Sequence, residues 1–67
     1  MENKQEVWTA MIISGYSKEL GISFSKAAER LLSSNCIDYL EECYDTLHLL
    51  SNGNVIRELI DMSKQEN

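Results

Sequence analysis

Proline is absent from the 67 residues, so no helix meets an obligatory interior break and no proline-rich linker divides the chain. Basic residues are scarce: 6 Lys and Arg stand against 11 Asp and Glu, for a net charge of −5. That balance argues against a nucleic-acid binder, whose affinity comes mainly from cations that neutralise phosphates. Cysteine occurs twice, too rarely for a disulfide scaffold, and Cys36 and Cys43 are read as reduced, buried thiols. No uncharged run is longer than Val7 to Ser17, far short of the roughly 20 residues of a membrane span. The opening residues carry acid as well as base and do not form the basic start of a signal peptide, which predicts a cytoplasmic protein. A Gly-rich phosphate loop, a nucleophile elbow and a close-spaced metal motif are all missing from the sequence. The expectation is a protein that is not an enzyme and takes no metal or cofactor.

What remains is 43% hydrophobic and 25% charged, the values of a globular chain. Its length allows a single domain over 1–67. A chain this short buries only about 60% of its unfolded surface, so its core must be dense or must lean on a partner.

Apolar residues recur with helical spacing, and no segment alternates with period two. The fold class expected is all-α, a bundle of four short helices at about 3–20, 24–33, 36–50 and 55–64. Val7, Trp8, Met11, Ile12, Tyr16 and Leu20 form the stripe of the first helix, which Gly21 closes in the left-handed conformation. Gly15 inside it weakens the helix and predicts a close approach by a neighbour. Ser23 or Ser25 caps the second helix, which turns Phe24, Ala27, Ala28, Leu31 and Leu32 inward. Asn35 is expected to cap the third, with Cys36, Ile37, Leu40, Cys43, Tyr44, Leu47 and Leu50 on one face. Gly53 should end that helix as a left-handed residue and Asn54 should open the fourth, with Val55, Ile56, Leu59 and Ile60 inward. A hairpin at Asn52 and Gly53 competes weakly, because neither flank alternates. Residues 65–67 are expected to fray.

Chemistry is sparse. Asp38, Glu42 and Asp45 are spaced i, i+4, i+7 and should line one face, with Glu41 beside them. No facing carboxylate segment or calcium loop supports catalysis or cation binding, so the row is either a solvated face or a dock for a basic partner. His48 is the only histidine, with Asp45 and Tyr44 three and four positions before it. Cys43 lies about 140° around the helix from it, too far to serve as its nucleophile, so a surface network or loop anchor is expected. Helix-turn-helix spacing around Gly21 fails on charge, since the would-be recognition helix carries Asp38, Glu41, Glu42 and Asp45. Tyr16, Tyr44 and Phe24 are expected in the core; Trp8 and Tyr39, if exposed, would be interface anchors.

The segment from Asp38 to His48 resembles the Tyr-Asp-x-Leu-His signature of a family of small bacterial helical proteins catalogued as a domain of unknown function. Tyr44, Asp45, Leu47 and His48 carry that signature, and Tyr16 to Ser23 with Ala27 to Leu32 extend the resemblance over about residues 7–62. Leu49 to Asn54 depart from the Thr/Gly turn and tyrosine that follow the histidine in that family. The resemblance implies a short helical protein, often encoded beside an ADP-ribosyltransferase-like protein, hence the antitoxin-like partner of a toxin-like neighbour.

Residues and resemblance together predict a non-catalytic protein-binding module whose partner face is Asp38, Glu41, Glu42, Asp45 and His48, with Tyr44 fixing the helix. A self-associating homodimer is the alternative.

Overall fold

The computed structural model describes residues 3–64 and, among them, is all α-helical. Helix α1 spans Lys4–Leu20, α2 Phe24–Ser33, α3 Cys36–Glu42, α4 Tyr44–Leu47 and α5 Asn52–Lys64. No described helix is long and apolar enough to cross a membrane. The expected fraying of residues 65–67 lies outside the described residues.

Each boundary has a local cause. The Asn3 side chain accepts the Gln5 N–H at 2.9 Å, satisfying one of the orphan donors at the start of α1. Gly21 closes α1 at φ 67°, with its own N–H donating to Lys18 O and the Ile22 N–H donating to Ser17 O. Ser23 caps α2 by accepting the Lys26 N–H at 3.2 Å. Asn35 behaves differently from expectation. It sits at φ 62° and makes no side-chain cap, so its role is to terminate α2 in a left-handed turn that asparagine tolerates better than most residues.

Two further boundaries correct the sequence reading. The third helix is not continuous over 36–50: it breaks at Cys43 (φ −104°, ψ 14°), resumes as the single turn α4 and stops at Leu47. No proline or glycine marks the break. Tertiary packing imposes it, by delivering Leu47 to the core and Tyr44 to the side of Trp8. The last helix begins at Asn52, three residues early, because Ser51 Oγ accepts the Asn54 N–H at 3.3 Å and acts as its cap. Gly53 therefore lies in the first turn of α5, neither a left-handed stop nor part of a hairpin.

Every helix contributes to one core. Ile12, Tyr16, Ala27, Leu31, Cys36, Leu40 and Leu59 are fully buried, with Ile13, Leu47 and Val55 nearly so. Each large aliphatic side chain among them stabilises the fold by about 1.5–3 kcal/mol relative to exposure. The expected close approach at Gly15 is present: a Cβ there would overlap Cδ1 of Ile56 in α5 and meet its Cγ1 at 3.5 Å. Beside it, Ser63 Oγ donates to the Ile60 carbonyl at 3.2 Å, so the buried Tyr16 hydroxyl, 2.8 Å away, donates to Ser63. The stripe of α1 is rotated from expectation, with Ile13 inside and Val7 and Met11 exposed. Phe24, Leu32 and Leu50 are likewise on the surface rather than in the core.

Candidate functional site

The third and fourth helical pieces form a corner against the N-terminal half of α1. α3 has seven residues and α4 has four, lengths that are marginal as isolated helices and depend on tertiary support. Leu40 and Leu47 anchor the two pieces from inside. Besides this core packing, Gln5 Nε2 donates to the Glu41 carbonyl at 3.1 Å, and the Trp8 and Tyr44 rings meet edge to face at 5.2 Å and 71°, tying the corner to α1. Aromatic pairs of this kind contribute about 0.5–1.5 kcal/mol beyond the area they bury.

Tyr44 also carries His48. The imidazole stacks on the phenol ring with centroids 4.6 Å apart and planes 16° from parallel. Its Nδ1 lies 2.7 Å from the Tyr44 carbonyl; a carbonyl only accepts, so Nδ1 bears the proton and donates. The bond stays within the turn that His48 closes at the end of α4, and it goes to the Tyr44 backbone rather than to the Asp45 carboxylate. Trp8, half-buried, completes the aromatic row. Its indole Nε1 is buried without a hydrogen-bond partner among the described residues.

The carboxylates stand outside this row. Asp38, Glu41, Glu42 and Asp45 are all exposed, as is His48, while Tyr44 is half-buried. The break at Cys43 divides the expected single face: Asp38, Glu41 and Glu42 belong to α3, and Asp45 to the separate turn of α4. The structure thus brings Tyr44 and His48 into contact and distributes four exposed acids over the corner around them.

Tyr39 is not a free anchor. Its hydroxyl donates to Glu58 Oε1 of α5, which raises its pKa from 10.0 to about 12; the hydrogen bond to the carboxylate dominates, and burial adds to it. The thiols differ in burial. Cys36 is fully buried and accepts from the Ser34 hydroxyl at 3.1 Å, whereas Cys43, at the break, is only half-buried, and both are unpaired. No group of three or more His, Cys, Asp or Glu among the described residues could hold a metal ion.

The links Gln5 to Glu41 and Tyr39 to Glu58 escaped the sequence reading, since each joins residues far apart with no motif between them. Trp8 carried a signal, as the only tryptophan on the α1 stripe.

Compared with known families, residues 8–66 match the model of the family described as "Protein of unknown function (DUF3791)". No curated protein matches the chain. No solved structure matches it either. The match covers nearly the whole sequence, and the chain belongs to this family.

Proposed function

We propose that this member of DUF3791 is a non-catalytic protein-binding module of the bacterial cytoplasm, the antitoxin-like partner of a toxin-like protein encoded beside it. The observation that carries the reading is the corner itself. Four exposed carboxylates, Asp38, Glu41, Glu42 and Asp45, sit on backbone held by Gln5 and by the Trp8–Tyr44–His48 aromatic row. Holding the supporting side chains in advance lowers the ordering cost that binding would otherwise incur. Fixed negative charge steers a basic partner and sets its orientation. The toxin-like nature of that partner rests on the resemblance carried by Tyr44, Asp45, Leu47 and His48. Residence in the cytoplasm agrees with two unpaired thiols.

The test begins with capture of the tagged chain's partner from its native lysate, followed by affinity measurements on the purified pair. Wild-type affinity should fall as salt rises, and the double variant Glu42→Lys/Asp45→Lys should bind roughly tenfold or more weakly at low salt. Equal affinity of variant and wild type would remove the electrostatic account.

Self-association is the second reading. It draws on the exposed Val7, Met11, Phe24, Leu32, Leu49 and Leu50, and light scattering that gives one monomer mass at every concentration would dispose of it.

A further inference from the structure

The outer flank of α2 carries an apolar row that the corner does not use. Phe24, Ala28 and Leu32 repeat every four residues, and Ile37 of α3 stands across from them. Together with Ser25 and Glu29 they line a shallow groove of about 460 Å³. Phe24 is 49% exposed and Leu32 66%, values that isolated packing residues of a small core do not need. Phe24 also borders a second depression of about 350 Å³ between α1 and the end of α3, lined by Ala10 and Ile13 together with Glu6 and Glu41. The row from Phe24 to Leu32 alone is about 12 Å long, two turns of a docked helix.

The charges choose the occupant. Glu6, Glu29 and Glu41 are the charged residues lining the two depressions, and neither is lined by lysine or arginine. Lys26 and Arg30, on the same helix, line a neighbouring depression with Ser33 and with Glu29, which also borders the groove, so the acidic character of the rim rests chiefly on Glu6 and Glu41. A second copy of this chain would bring the same acidic rim against itself in a two-fold pairing, at a cost in like-charge contacts. A helix with apolar anchors at i, i+3, i+4 and i+7 and lysine or arginine on its flanks suits both floor and rim.

We infer that the α2–α3 groove docks a basic amphipathic helix of a partner protein, with Phe24, Leu32 and Ile37 as the apolar contacts and Glu6, Glu29 and Glu41 as the charged rim. The inference rests on the protein-binding reading above but places the main apolar contact on a different face from the α3–α4 corner.

The probe is a synthetic peptide with leucines at i, i+3, i+4 and i+7 and lysines elsewhere, titrated into the full-length chain and followed by amide chemical shifts. Peptides with the same leucines and glutamates in place of lysines, and with the lysine version scrambled, run beside it. The expected result is saturable binding of the lysine peptide, with shifts at Phe24, Leu32, Ile37 and Glu41. Phe24→Ser/Leu32→Ser should weaken it at least about tenfold while leaving the circular-dichroism melt in place, since both side chains are already half exposed or more. Equal binding of the glutamate or scrambled peptide, unchanged affinity of the variant, or shifts confined to Trp8, Tyr44 and His48 would overturn the inference. So would a dimer of the wild type that Leu32→Ser turns into a monomer. Against the captured native partner the two readings separate. Loss of binding in Glu42→Lys/Asp45→Lys with full binding in Phe24→Ser/Leu32→Ser overturns the groove and keeps the corner, and the opposite pattern supports the groove and overturns the corner.

Discussion

The crossing of α1 with α5 and the corner of α3 with α4 are built on different physical terms. At the crossing, two long helices approach closely enough that a Cβ at Gly15 would displace the δ-methyl of Ile56, and Tyr16, Val55 and Leu59 are buried to within 1% of completely. At the corner, two short pieces carry four exposed acids, and ring contacts and one side-chain hydrogen bond to a backbone carbonyl attach them to α1. The comparison teaches where a 67-residue chain keeps its stability and where it can present charge. The crossing holds the fold; the corner is left free to be polar.

Breaking the crossing should have the largest effect. Leu59→Ala removes a fully buried side chain and should cost about 2–5 kcal/mol, enough to leave much of so small a domain unfolded in a urea titration. Tyr44→Ala should cost less, about 1–2 kcal/mol, because it deletes a half-buried ring and its edge contact with Trp8. Its signature should be local: faster amide exchange over residues 43–49, with α5 unchanged. Gly15 sharpens the crossing through its sign. Gly15→Ala alone should be near neutral, since the helix-propensity gain of about 1 kcal/mol is offset by displacement of the Ile56 δ-methyl group. In an Ile56→Val background that methyl is gone, so the same substitution should stabilise, with a double-mutant coupling near 1 kcal/mol.

The Tyr39–Glu58 link joins the two regions and gives a pH signature. Folding raises the tyrosine pKa, so the native state favours the protonated phenol. Its stabilisation is complete below pH 10 and is lost as pH climbs from 10 towards about 12. Tyr39→Phe should flatten that alkaline decline in chemical-denaturation midpoints, while changing stability at neutral pH by no more than about 1 kcal/mol. Glu42→Lys/Asp45→Lys should have a small effect too, because its exposed side chains leave thermal stability within about 0.5 kcal/mol of wild type.

The crossing was largely legible in the sequence. Strong periodicity placed Ile12, Tyr16, Val55 and Leu59 inward, Gly21 ended α1 by its backbone freedom, and Gly15 announced a close neighbour. The corner was less so. Nothing in the residues around Cys43 breaks a helix; the break exists because Leu47 and Tyr44 each find a partner outside their own helix. Ser51 outcompeted Asn54 as a cap because both fit the start of the last helix, and the hydroxyl that actually captures an N–H decides between them. Phe24 and Leu32 followed the helical period yet fell on the edge of the stripe, where periodicity cannot separate a core position from an exposed apolar flank. The acidic residues were visible as a row, and their division between two helices was not.

Native-state hydrogen exchange on the full chain tests the division between crossing and corner most directly. The account predicts that amides of Tyr16, Leu59 and their neighbours exchange only with global unfolding. Those from Tyr44 to His48 should exchange through a local opening of distinctly lower free energy. Corner amides as slow as those of the crossing would contradict it, because the α3–α4 segment would then be an integral part of the folding core.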